Sequence, residues 1–142
     1  MAAEWVIDAS VAAKLYFEEE FSELARLRVA EADQLIAPDL FHLEIANIAV
    51  KRVRRGTASE PAASAAVVGA SRIVDEFVAH GALTPHAYAL ARDHGFSACD
   101  AAYLALADAR GLKLLTADAK LAGLASVAGL GRLVDLLQEG GA

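Results

Sequence analysis

Cys99 is the chain's single cysteine, so no internal disulfide can form, in keeping with a reducing compartment. The four histidines, His42, His80, His86 and His94, have neither cysteine partners nor metal-ligand spacing, and are read as surface or structural groups. No apolar run approaches the roughly 20 residues of a membrane span. The N-terminus also lacks the basic-then-apolar order of a signal peptide. These absences lead us to expect a cytoplasmic protein with no membrane segment. Positive charge is short as well: 13 Lys and Arg stand against 19 Asp and Glu, a net charge of −6. That excludes a protein that coats nucleic acid by bulk attraction. Internal repeats and linkers are missing too.

What remains is 142 residues, 56% hydrophobic, with charges interspersed throughout. A chain of this length buries about 68–70% of the surface its unfolded form exposes, enough for one core. One domain over residues 1–142 is expected. The densest positive cluster is Lys51-Arg52-Val53-Arg54-Arg55.

The stretch Ser97-Ala98-Cys99-Asp100, followed by Ala101 to Ala107, places an acid in the opening turn of an almost wholly apolar helix that runs to Arg110 and stops at Gly111. Cys99, beside its apolar face, is expected to be buried. Around this helix, short β-prone runs alternate with helical patterns. Glu4-Trp5-Val6-Ile7 leads through Asp8-Ala9-Ser10 into a helix from Val11 to Phe17. A second helix fits Phe21 to Ala32 with Leu24, Leu27 and Val29 inward, and a strand fits Gln34 to Ala37.

Asp39 to Arg55 reads as one helix with a broad apolar surface that includes Leu40, Phe41, Leu43, Ile45, Ile48 and Ala49. Within it Glu44, Asn47, Lys51 and Arg55 form a polar stripe at steps of three and four. Ser59-Glu60-Pro61 resembles a helix start, and Ile73 to Val78 is read as a strand. Thr84-Pro85 predicts a helix from there to His94, closed by Gly95. Lys113 to Leu115 is a strand, and Thr116-Ala117-Asp118 leads into a helix from Ala119. Arg132 to Val134 is β-like, with a fraying end at Gln138 to Ala142. The alternation predicts a three-layer α/β/α sandwich with a mostly parallel central sheet.

In such a sheet ligands collect beyond the carboxyl ends of the strands. Asp8 and Asp118 belong at that edge, and Asp100 opens a helix that can point to it. Each acid alone is also explained as a helix cap, and Glu44 as a solvated residue. Together the caps explain less, because Glu44 would be an acid among apolar neighbours and clustered carboxylates repel unless a cation intervenes. Carboxylates with the hydroxyls of Ser10 and Thr116, and no thiolate or imidazole, suit Mg²⁺ or Mn²⁺. Such a site performs metal-assisted phosphodiester hydrolysis.

Four segments resemble the PIN-domain ribonucleases, and within them the VapC-type toxins of prokaryotic toxin–antitoxin pairs. Val6-Ile7-Asp8-Ala9-Ser10 is similar to the opening strand with its first acid. Pro38 to Asn47 resembles the helix that gives the second acid, Glu44, and its companion Asn47. Asp100 to Ala107 resembles the most recognisable stretch, and Leu114 to Asp118 the last strand.

The resemblance implies Mg²⁺ or Mn²⁺ at Asp8, Glu44, Asp100 and Asp118, with Ser10, Asn47 and Thr116 supporting. It also implies RNA as substrate, homodimers, and a small antitoxin partner that blocks the site. Lys51, Arg55 and, more weakly, Lys14 are candidates to steer the RNA backbone. Two other readings stay open: a phosphoacceptor receiver-like signalling domain, and a non-catalytic interaction domain whose acids are all caps.

Overall fold

The computed structural model describes residues 2–138. Five parallel strands form one sheet in the order β3-β2-β1-β4-β5, with β1 at Glu4–Ile7, β2 at Gln34–Pro38, β3 at Glu76–Val78, β4 at Lys113–Thr116 and β5 at Val134–Leu136. Seven α-helices occur among the described residues: α1 Ala9–Ala13, α2 Ser22–Glu31, α3 Phe41–Arg54, α4 Glu60–Gly69, α5 His80–His94, α6 Ala98–Arg110 and α7 Ala119–Val127.

The strands are short and apolar on both faces because both faces are covered. Alternate residues point opposite ways. Val6, Ile36 and Leu114 pack with α5, α6 and α7, whereas Ile7, Leu35, Ala37 and Leu115 pack with α1, α2 and α3. The result is the expected α/β/α sandwich. The chain grows outward from β1 to β3, then returns to add β4 on the other side of β1. The order therefore reverses between β1 and β4, and a crevice opens beyond their carboxyl ends.

The central helix α6 keeps the expected bounds. Ser97 Oγ accepts the Asp100 N–H at 3.1 Å, and Gly111, at φ 64°, ends it in a left-handed turn that a side chain would strain. Its residues Ala101 to Ala107 are all buried. Ser59 caps α4 as expected, accepting the Ala62 N–H; of the strand expected over Ile73 to Val78 only Glu76–Val78 forms, since Ile73 closes a 3-10 turn over Ala70–Ile73.

Several expectations need correction. α5 begins at His80, a turn before Thr84-Pro85, because Asp39 Oδ1 on the neighbouring connection accepts the His80 N–H at 2.9 Å and caps the helix from outside. The Thr84 hydroxyl donates to the His80 carbonyl at 3.0 Å, so the turn closes ahead of the proline. α1 ends at Ala13 rather than Phe17. Leu43 and Leu27 are exposed, at 76% and 52%, since α3 buries only Phe41, Ile45 and Ala49, and α2 turns Ala25 inward. Cys99 is exposed: it lies in the first turn of α6, before the buried face begins. The β-like tail lies at Val134–Leu136, after a short 3-10 turn over Gly131–Leu133. Of the fraying end, residues 139–142 fall outside the described residues.

Candidate metal centre

Asp8 follows β1 directly, and its backbone N–H bonds to the Leu115 carbonyl, which extends the β1–β4 pairing to the edge of the crevice. It stands at the N-cap of α1 yet makes no side-chain cap bond. Its Oδ2 instead accepts from Thr116 Oγ1 at 2.6 Å and Ser10 Oγ at 3.0 Å. Burial raises its pKa against these two donors, and the neighbouring charge of Asp100 raises it further.

Glu44 projects from the first turn of α3 toward the same place. Burial pushes its pKa up to about 7, helped by the charges of Asp8 and Asp100, while the Tyr103 hydroxyl lowers it. One of its oxygens, Oε1, is shut off from solvent and has no hydrogen-bond partner of good geometry. Asp100 is raised by burial and by Asp118, against its Ser97 neighbour and Lys120. Asp118 caps α7, its Oδ1 accepting the Leu121 N–H at 3.0 Å, so for this residue the cap reading also holds.

The four acids thus share one electrostatic neighbourhood at the carboxyl edge of β1 and β4. Among the described residues, no three of His, Cys, Asp and Glu already converge at metal-binding geometry. The donor set nevertheless fits a hard divalent cation. Its side-chain donor atoms are all oxygens, three of the carboxyls are held above their ordinary range, and Glu44 keeps a buried oxygen unpartnered.

The supporting residues divide. Ser10 and Thr116 contact Asp8 and also hold the next turn, accepting the N–H groups of Ala117 and Asp118 at 3.1 Å each. Asn47 and Lys51 are exposed on α3, as is Arg55 just past its end, and among the described residues neither cation forms an ion pair. Lys14 is placed otherwise than expected. It is 8% exposed and bonded to Glu19 Oε1 at 3.1 Å and the Glu20 carbonyl at 2.6 Å, so it holds the α1–α2 connection instead of facing a ligand. Arg52, in the basic run, is likewise engaged, paired with Glu19 and stacked over Phe17.

Two neighbours of the acids did not stand out in the sequence. Lys120 lies two residues after Asp118, a spacing that hints at its position. Tyr103 reads as core and is core, 1% exposed, but its hydroxyl reaches Glu44.

The PIN domain family model matches residues 5–127 of the chain. Over 119 residues the chain is 41% identical to Ribonuclease VapC3 of Pyrobaculum aerophilum, covering 82% of this chain and 91% of that protein. The crystal structure of PAE2754 from Pyrobaculum aerophilum is similar in fold, with a TM-score of 0.68 at 24% identity over 87% of each chain.

Proposed function

The chain belongs to the PIN domain family, and on that premise we propose that it is a metal-dependent endoribonuclease, the toxin of a toxin–antitoxin pair. Glu44 carries the reading: it keeps a solvent-excluded carboxyl oxygen without a partner, in the field of Asp8 and Asp100. Nothing in a helix cap or a solvated surface acid calls for that arrangement.

Mg²⁺ or Mn²⁺ is the cation proposed, with Asp8, Glu44, Asp100 and Asp118 as its ligands. Bound there, such a cation lowers the pKa of water and neutralises charge that builds on phosphoryl oxygens. The chain's own residues prepare the site. Thr116 and Ser10 both hold Asp8 by Oδ2, and among the described residues no side-chain donor is bonded to Oδ1. Burial pushes the Glu44 carboxyl up to about 7, so a cation bound there would compete with its proton. The N-terminus of α6 adds partial positive charge beside Asp100.

Asn47, one turn beyond Glu44 on α3, supports the shell, and exposed Lys51 and Arg55 extend along the same helix to meet RNA backbone phosphates. A homodimer and a small antitoxin that blocks the site complete the proposal.

RNA cleavage with and without chelator tests it. Cleavage in Mg²⁺ or Mn²⁺ is expected, with loss on chelation and in a folded Asp100→Asn variant. Protein that cuts no RNA with either ion present would refute the ribonuclease reading, and equal cleavage in chelator would refute its metal dependence.

A further inference from the structure

Tyr103 stands three residues after Asp100 on α6, so the two side chains leave one face of the helix a turn apart. Its ring is core. Its hydroxyl, however, is shut off from solvent and lacks a hydrogen-bond partner of good geometry, and among the described residues one other buried side-chain oxygen is in that condition, Glu44 Oε1. The two are neighbours: the hydroxyl is near enough to lower the pKa of Glu44 as a donor would, both groups feel the charge of Asp8, and neither oxygen is committed to another hydrogen bond. The backbone N–H of Ala9, the residue after Asp8, is also near enough to act on the hydroxyl. A hydroxyl buried in this way is costly, and a phenylalanine would fill the same space without the cost. The polar atom is at the junction of the segments that carry Asp8, Glu44 and Asp100.

Resting on the metal-dependent reading above, we infer that Tyr103 is a positioning residue for the metal site: its hydroxyl donates to Glu44 and holds that carboxylate facing Asp8. A carboxylate held by one oxygen keeps the other for a cation, as Thr116 and Ser10 do for Asp8. Donation to an ionised acceptor is stronger than to a neutral one, so the contact tightens when Glu44 is ionised in the loaded site. Partners of this kind orient ligating carboxylates.

Tyr103→Phe keeps the ring and removes the donor. In calorimetric titration of metal-free protein with Mn²⁺, the variant is expected to bind roughly 10-fold more weakly or worse. The Mn²⁺ concentration for half-maximal cleavage should rise by a similar factor, with a much smaller change in kcat at saturating metal. A purely structural tyrosine would not produce that split. In a Glu44→Gln background, adding Tyr103→Phe should weaken Mn²⁺ binding no further.

Wild-type Mn²⁺ affinity in Tyr103→Phe, or an undiminished effect of that change beside Glu44→Gln, overturns the inference while leaving the ribonuclease reading untouched. A second readout needs neither metal nor cleavage, nor a folded Tyr103→Phe variant. The slowly exchanging hydroxyl proton of Tyr103 should move in the NMR spectrum of Glu44→Gln, and an unmoved resonance also overturns the inference. Wild-type protein that binds no Mn²⁺ and cuts no RNA would instead sink the ribonuclease reading, and with it the metal-site role of Tyr103. A moved resonance would then still establish the contact with Glu44.

Discussion

Thr116 and Asp8 meet across the point where the strand order reverses: the Thr116 hydroxyl, at the end of β4, donates a 2.6 Å hydrogen bond to Asp8 Oδ2, just beyond β1. The same hydroxyl accepts the Asp118 N–H at 3.1 Å. One fully buried side chain therefore couples two acids that lie 110 positions apart in a chain of 142. Because the acceptor is a carboxylate, the bond is of the stronger, charge-assisted kind.

Thr116→Val preserves shape and removes the donor. It should lower stability by about 1–3 kcal/mol, since Asp8 and the Asp118 N–H both lose a partner in a buried setting. Urea unfolding in chelator reads this directly. An unchanged midpoint would mean that the hydroxyl does not hold the edge of the crevice.

Asp100→Asn should separate stability from activity. The carboxyl of Asp100 is raised by burial and by Asp118, so its charge is unwelcome in metal-free protein, and it in turn raises Asp8 and Glu44. Neutralising it relieves that repulsion. The melting temperature in chelator should rise, by about 2–4 °C for each kcal/mol relieved, while RNA cleavage is lost. A lower melting temperature would show Asp100 to be a structural cap first.

Glu44 makes stability depend on pH. Its pKa is raised from 4.5 to about 7 in the folded protein, so the native state binds the proton more tightly than the unfolded chain does. The contribution is therefore fully present below pH 4.5 and is lost as the pH rises through about 7. Discounted for partial exposure, it is on the order of 2 kcal/mol. Denaturation in chelator should show stability falling across that window and a flatter profile for Glu44→Gln. Excess Mn²⁺ should reverse the slope, since a cation competes with the proton. A wild-type profile as flat as that of Glu44→Gln would contradict the shift.

Lys51 and Arg55 are exposed without ion pairs among the described residues, so replacing both by alanine should leave the melting temperature unchanged. RNA binding should weaken about equally across sequences, with a shallower dependence on salt. Arg52→Ala is the contrast, because Arg52 is paired with Glu19 and stacked on Phe17 and its loss should cost stability. Binding measured as a function of salt concentration distinguishes the two. An unaltered salt slope would remove Lys51 and Arg55 from the RNA path.

Much of this protein was decided by local chemistry that a sequence displays. Ser97 and Gly111 bound α6 because a hydroxyl satisfies a free N–H at one end and a residue without Cβ turns the chain at the other. Asp8 and Asp118 stand where short apolar strands give way to helices, so the sheet edge that receives them follows from alternation alone.

Other features depended on partners far along the chain. The start of α5 is set by Asp39, 41 residues away, which caps His80 in place of any nearby residue. Leu43 and Cys99 look like core in a helical pattern and are exposed, because α3 turns Phe41, Ile45 and Ala49 inward instead and Cys99 lies in the opening turn of α6, ahead of its buried residues. Lys14 resembles a free cation until the α1–α2 connection folds over it. Tyr103 belongs to both groups: helical spacing assigns its ring to the core, whereas only packing brings its hydroxyl to Glu44. Local sequence determines where each acid stands in its own element, because capping and periodicity act over a few residues. Which acids share a field, and what each must therefore be paired with, is decided by tertiary structure, because charge acts through space.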